Sequence, residues 1–445
     1  MPAISRTLAS RRQFLLTGSA AAGGVLTRSQ TSKLIATATA PAILTQTGLA
    51  AANSDKLRVG LVGCGGRGTG AAGNALTADP NTVLVSVGDA FPDAANRAID
   101  GLKAQFGDRI QVPNEKRFTG LDAYKQVIDS GVDVVLLASP PGFRPVHLRY
   151  AVEQGKHIFC EKPMSTDAPG LRHVMESVRI SKEKKLCLVA GFCWRYDLPR
   201  RAFYDQIHDG ALGEVKSVYC TYLTGPVKPM QPANQRPADM SDLEWQLRNW
   251  MNFVWLSGDG IVEQCIHSVD KTLWTFRDKP PVKCTATGGR MIPNHEGNIY
   301  DHMTIVYEWE NGARGVVAQR QIPGCYNDNS DYVNGTKGNG VSGWSKPTVR
   351  GEKNWRYSGD APDMYTIEHQ HLFRAIRSGE TINDGDRMAT STLAGIMGRA
   401  AAYTGKEVTW EQMLTSNDKL VPDNLTWDMK LPIAPIAIPG RHPLL

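Results

Sequence analysis

The sequence predicts an α/β protein in two parts: a doubly wound parallel sheet, then an α+β domain with an open, mostly antiparallel sheet. Three observations carry this. Up to about residue 200, short apolar runs alternate with stretches of helical spacing. Beyond that point β-prone runs follow one another with no helix between them. The chain has 445 residues, more than one ordinary core accommodates, so two domains are expected.

The elements follow in chain order. Ser10-Arg11-Arg12-Gln13-Phe14-Leu15 precedes a weakly apolar, Ala/Gly-rich stretch that ends in the small residues Ala50-Ala51-Ala52. This resembles a twin-arginine (Tat) export signal, an address read by a receptor. Residues 1–52 are therefore set apart as a leader, residues 53–195 as the first domain and 196–445 as the second. The expected location is the periplasm or beyond. Because this route moves folded proteins, a cofactor can be loaded before export. No later run reaches the ~18 apolar residues needed to span a bilayer.

Lys56 to Gly63 reads as a strand running into glycines, and Thr82 to Val87 as a second strand, with Ala and Leu at helical spacing between them. Val132 to Ala138 is a buried-type strand ending in Ser139-Pro140-Pro141. His157 to Cys160 ends in Glu161-Lys162-Pro163, and Leu186 to Ala190 is a further apolar run. Strands expected in the second domain are Val215 to Leu223, Val282 to Gly288, His302 to Trp309 and Ala313 to Gln319, the last two joined by an Asn311-Gly312 hairpin turn. Residues 325–362, rich in Gly, Asn, Asp and Ser, read as a long loop. Met364 to Ser378 and Met388 to Gly405 read as helices packed back on the body.

Hydrophobic residues make up 41% of the chain and charged residues 21%, ordinary for a globular protein. The net charge of +6 is spread without a Lys/Arg block, which argues against nucleic acid as a partner. The eight cysteines form no C-x-x-C pair, so no zinc or iron–sulfur site is expected and most should be small buried residues.

Gly63-Cys64-Gly65-Gly66-Arg67-Gly68 is a G-x-G-x-x-G run with a strand before it and a helix after it. Glycines there permit a tight turn and let backbone N–H groups and a helix N-terminus approach a pyrophosphate. Asp89 ends the second strand, 21 residues beyond Gly68, where an acid bonds ribose hydroxyls and repels a 2′-phosphate. The expected cofactor is NAD on a Rossmann domain. NADP is the alternative, because Arg67 and Arg97 can offset the acid.

Lys162 sits at a strand end, at the sheet edge where ligands bind, and there it suits proton transfer. Glu263 and His267 are four residues apart, on one face if the segment is a single helix, with Asp270 three further on. A carboxylate beside an imidazole fixes its tautomer. By spacing alone, a catalytic pair and a core histidine with a nearby acid fit equally well. Trp194, Arg195 and Tyr196 follow a strand and, with Asp270, are candidates to touch substrate. Trp245, Trp250 and Trp255 read as part core, part pocket rim.

These motifs resemble the Gfo/Idh/MocA family of glucose-fructose oxidoreductase and inositol dehydrogenase. The likeness rests on Gly63-x-Gly65-x-x-Gly68, Pro140-Pro141 with His147 following, Glu161-Lys162-Pro163, the acid-x-x-x-His pattern at Glu263 and His267, Ala375 to Glu380, and Ala401 to Lys406. It covers nearly all of residues 55–415. The resemblance implies hydride transfer between a sugar or polyol carbon and nicotinamide. His267 would be the acid/base, Lys162 a hydrogen-bond donor to the reacting oxygen, and Glu263 the orienter of His267. Ser139, Pro140, His147 and Glu161 would line the cofactor site, with NAD tightly held. The family usually carries Asp where this chain has Glu263. Two rival readings remain at this level: an NAD-dependent glycoside hydrolase cycling through oxidation, elimination, hydration and reduction, and a non-redox sugar-binding protein. A homo-oligomer, dimer or tetramer, through the open sheet is implied as well.

Overall fold

The structure, a computed structural model, describes residues 56–292 and 296–443. The twin-arginine leader expected over residues 1–52 lies outside the described residues.

The first domain alternates β1 (Leu57–Val62), α1 (Gly66–Ala78), β2 (Thr82–Asp89), α2 (Pro92–Phe106), β3 (Arg117–Thr119), α3 (Ala123–Asp129), β4 (Val134–Leu137), α4 (Arg144–Glu153), β5 (His157–Cys160), α5 (Ala168–Glu183) and β6 (Leu188–Ala190). The strands are parallel, in the order β3-β2-β1-β4-β5-β6. The central strands are covered on both faces, which is why β4 is an unbroken apolar run, Val-Val-Leu-Leu, with every side chain buried. Alternate residues feed two cores. Leu61, Val134 and Leu136 meet Ala72 and Leu76 of α1, while Val135, Leu137 and Ile158 meet Leu171 and Val174 of α5. The strand order reverses between β1 and β4, and that reversal opens a crevice at their carboxyl ends.

After α6 (Leu198–His208) the chain builds a nine-stranded sheet, order β14-β13-β12-β11-β7-β10-β9-β8-β15. Its strands are β7 (Val215–Thr224), β8 (Lys283–Gly289), β9 (His302–Glu308), β10 (Arg314–Gln321), β11 (Asp331–Gly335), β12 (Gly338–Ser342), β13 (Thr348–Gly351), β14 (Trp355–Arg356) and β15 (Val408–Thr409). Among the described strands of this sheet, only β7–β10 is a parallel pair. The β9–β10 hairpin closes on Gly312 at φ +77°, with Trp309 N donating to Ala313 O at 3.0 Å. Four short helices, α7 (Asp242–Arg248), α8 (Val254–Ser257), α9 (Gly260–Glu263) and α10 (Ile266–Thr275), lie between β7 and β8 in sequence. The chain ends with α11 (Met364–Ser378), α12 (Gly385–Thr404) and α13 (Trp410–Thr415). Ile266, Val269, Leu393 and Met397 of α10 and α12 share a core with Cys220, Ile305 and Val317 on one face of the sheet. The other face carries Tyr219, 39% exposed, stacked on Tyr332 at 5.9 Å.

Residues 325–362 are not a plain loop: β11 to β14 extend the sheet through antiparallel pairs. Glycine masked the strand pattern. At Gly340 a Cβ would lie 2.7 Å from the Phe203 ring, so the position is glycine because α6 packs directly on the strand.

The last helices return to the first domain. Leu372 and Phe373 of α11 belong to the same core as Val59 and Leu61 of β1. Residues 382–384 extend the first sheet past β6, with Leu188 N to Ile382 O and Asp384 N to Leu188 O both at 2.9 Å. All eight cysteines are unpaired thiols; seven are buried and Cys325 is exposed. No group of metal-ligating side chains occurs among the described residues, and none of their helices is long and apolar enough to cross a membrane.

Candidate active site

A cleft of about 760 Å³ runs from the glycine loop after β1 to the α9–α10 segment of the second domain. Its first wall is the loop itself. Gly63 has φ +92°, and a Cβ there would sit 2.6 Å from the Ala138 backbone. A Cβ on Gly68 would fall 1.8 Å from Gly63 O. These two glycines let the turn close on itself and on β4. Gly65 and Gly66 differ: among the described residues, nothing lies within 4 Å of a Cβ at either. They leave an open cradle at the N-terminus of the 13-residue α1, whose first turn has no side-chain cap. That is what a pyrophosphate requires, so the loop fits a dinucleotide.

Asp89 stands beside the cradle. Its carboxylate accepts from Cys64 N at 2.6 Å and Phe91 N at 3.0 Å, which ties β2 to the loop. Burial pushes its pKa up, and these two backbone bonds oppose that rise. Arg67 does not reach toward Asp89. Its Nε bonds Glu161 Oε1 at 2.5 Å, and its guanidinium lies 4.7 Å above the Tyr365 ring. Arg97 pairs with Asp93 at 2.7 Å.

Beyond β4, Ser139 Oγ and His147 Nδ1 are 2.9 Å apart, and His147 stacks on Tyr124 at 4.1 Å. Burial, with Arg144 adding to it, drives the His147 pKa down to about 3, so this imidazole is neutral. Arg144 is itself buried and donates to Lys162 O at 2.9 Å and Pro163 O at 2.5 Å, fixing the backbone that presents Lys162.

Lys162, Glu263 and His267 all line the cleft, but their pairing differs from the sequence expectation. The helix breaks at Gln264 and Cys265, where Cys265 N bonds Gly260 O at 2.9 Å instead of continuing the α pattern. The longer Glu263 side chain turns to Lys162. Lys162 Nζ donates to Glu263 Oε1 at 2.9 Å and to Glu263 O at 2.6 Å. Glu263 Oε2 accepts from Gln264 Nε2 at 2.6 Å, and Gln264 Oε1 accepts from Tyr222 OH at 2.9 Å. Glu263 therefore orients Lys162, not His267. The Nδ1 of His267 is buried and has no hydrogen-bond partner among the described residues. Burial and then the cations Lys162, Lys271 and Arg200 hold its pKa well below the usual imidazole value.

The four residues expected to touch substrate lie off the cleft wall. Arg195 and Asp270 are spent on each other at 2.7 and 2.9 Å, with Arg195 also on Asp278 and Asp270 on Ser391 Oγ. Burying such charges is tolerable only because they are paired, and pairing removes them from ligand contact. The Tyr196 hydroxyl donates to Asp384 at 2.8 Å. Trp194 stacks on His267, ring centroids 5.3 Å apart. Of the three spaced tryptophans, only Trp250 lines the cleft, while Trp245 and Trp255 are core. Residues the sequence reading missed take the vacant places on the wall: Tyr222, Lys228, Gln231, Gln264 and Tyr365. Tyr222 had a signal, since it shares the strand face of buried Cys220 two residues before it. Tyr365 had none, because α11 reaches the cleft only through tertiary packing.

Comparison with known proteins gives the same picture. Residues 57–192 match the family model described as an oxidoreductase family with an NAD-binding Rossmann fold. Residues 201–340 match the GFO/IDH/MocA C-terminal domain. Between them the two models take in more than half of the chain. The chain belongs to the Gfo/Idh/MocA oxidoreductase family. An inositol 2-dehydrogenase of Rhizobium meliloti is 24% identical over 78% of this chain and 97% of its own length. A glycosyl hydrolase family 109 protein of Streptomyces coelicolor is 27% identical over 49% of this chain and 46% of its own. In fold, the chain is similar to the WlbA dehydrogenase of Bordetella pertussis, solved with NADH and UDP-GlcNAcA. That likeness has a TM-score of 0.61 at 19% identity, over 80% of this chain and 98% of the other.

Proposed function

We propose that this oxidoreductase oxidises or reduces a hydroxyl-bearing carbon of a sugar or polyol, with NAD as the resident cofactor. The observation that carries the reading is the convergence of the open glycine cradle, Lys162 and His267 on one cleft. A bound nicotinamide would supply the hydride acceptor or donor. The chain's own residues handle the proton. His267, kept neutral by burial and nearby cations, takes the hydroxyl proton as a base. Lys162 spends two donors on Glu263 and has a third for the reacting oxygen, where it stabilises developing negative charge. Glu263 fixes that ammonium through both its side chain and its carbonyl. NAD is favoured over NADP because Asp89 stands at the ribose end while Arg67 and Arg97 are engaged by acids. The remaining parts of the reading are tight retention of the cofactor, export by the twin-arginine route, and a homo-oligomer formed through the open sheet face.

The test is direct. The purified protein is denatured and the released dinucleotide identified by mass and absorbance. Native protein is then assayed for NADH formation with a panel of aldoses, uronates and inositols, and for aryl glycoside cleavage without added NAD. NAD with polyol or sugar oxidation supports the reading. Glycoside cleavage with bound NAD and no net NADH would replace it with the redox-cycling hydrolase. Absence of any NAD affinity would overturn both. Export is tested by fractionation, where Arg11→Lys with Arg12→Lys should leave the protein in the cytoplasm.

A further inference from the structure

A buried imidazole that moves protons is ordinarily oriented by an acceptor on its second nitrogen, and a carboxylate usually fills that role. Among the described residues, His267 has no such acceptor. Glu263 is on Lys162 and Asp270 is on Arg195, and Nδ1 is without a partner. What the ring does have is aromatic contact. Trp194 lies nearly parallel to it, 5.3 Å between centroids and 24° between planes, and Phe192 meets it edge-on at 6.2 Å and 85°.

The indole is itself anchored. Arg200 lies 4.3 Å from its ring centre and is held by Asp197 at 2.9 Å. Lys271 Nζ lies 4.0 Å from the ring and is paired with Asp331 at 2.5 Å, both fully buried. Cations held against an indole face resist its rotation and its displacement into solvent. The anchors come from three elements, α6, α10 and β11, so the indole's place is fixed by the packing of the second domain. A plate held this way defines the plane of the ring stacked upon it.

We propose that Trp194 is the positioning residue for His267, taking by stacking the place that a hydrogen-bonded carboxylate fills elsewhere. The inference rests on the reading of His267 as the proton-transfer group. It also accounts for Glu263: released from the histidine, the longer acid is free to hold Lys162.

The experiment uses the full-length protein with ring-labelled histidine in a deuterated background. The His267 signals are assigned by their disappearance in His267→Gln. With Trp194 in place they should be single, narrow and displaced by the indole ring current. Trp194→Phe should keep a single narrow set. Trp194→Ala should move the signals toward ordinary imidazole positions and broaden or split them, with the other histidines unchanged as the control for folding. In turnover of the sugar or polyol found by the panel above, Trp194→Ala should lower kcat about 100-fold, with KM altered far less, and Trp194→Phe should recover most of it. Unchanged His267 signals in Trp194→Ala would overturn the inference, as would kcat at the wild-type level. The two readings fail separately. If His267→Gln itself leaves kcat intact, the proposed catalytic role falls, whatever the signals show of stacking.

Discussion

Lys162 has three ammonium hydrogens, and the second domain takes two of them through Glu263. Lys162→Met removes the donor proposed for the reacting oxygen and strips Glu263 of its cation. Steady-state assays should show kcat down by about 10²–10⁴-fold, while dinucleotide retained through gel filtration stays near the wild-type amount. Glu263→Asp shortens the acid that reaches Lys162 and should lower kcat less than Glu263→Gln, which keeps the length but loses the charge. The order of the two rates is the readout. His147 gives a stability prediction. Its folded pKa lies near 3 against 6.5 for a free imidazole, so below about pH 6.5 the unfolded chain binds a proton that the folded chain refuses. Stability contributed by neutral His147 is complete above pH 6.5 and declines as pH falls toward 3. Melting temperatures across that range should fall with acid, and His147→Gln should flatten the slope. The candidate residues Lys162 and His267 were legible because each follows a recognisable local signal, a strand end and an acid-x-x-x-His spacing. Their partners were not: Glu263 lies 101 residues from Lys162, and the acid-x-x-x-His spacing does not show that the helix breaks at Gln264 and Cys265.

At the scale of elements, the glycine loop separates two functions that look alike in sequence. Gly68→Ala drives a methyl against Gly63 O and should prevent the β1–α1 turn from closing, seen as a large loss of melting temperature. Gly66→Ala meets nothing within 4 Å, so the melting temperature should stay within a few degrees. The added methyl projects into the cradle, and the Kd for NAD should rise by about 10-fold or more, measured by calorimetry. The loop was readable from its spacing because strand, glycines and helix are contiguous. The β11–β14 extension was not. Gly338 and Gly340 sit in β12 for lack of room, and glycine in a sequence reads as turn.

For the whole molecule, the decisive feature is the return of the chain to its starting domain. Phe373 of α11 is buried in the core of β1 and α1, and Arg377 pairs with Asp79 at 2.5 Å. Phe373→Ala should cost about 3–5 kcal/mol, read by denaturant unfolding. Because the two domains share this core, fluorescence and circular dichroism should report one coincident transition in the wild type. The open face of the second sheet supports the oligomer proposal. Light scattering should give a mass above one chain, and Tyr219→Arg, on an exposed strand position, should lower it without changing the melting temperature of the protomer.

The sequence alone determined what depends on contiguous residues. Strand period, the glycine turn, the acid at the end of β2 and the Glu-Lys-Pro strand end all act over a few positions, and each stood where expected. Tertiary structure alone decided the pairings. Whether Glu263 meets Lys162 or His267, whether Arg195 meets substrate or Asp270, and what holds His267 are choices between neighbours up to about a hundred residues apart. Such choices are made by desolvation: a buried charge takes the partner that packing brings within bonding distance, and spacing in the chain carries no record of which partner that is.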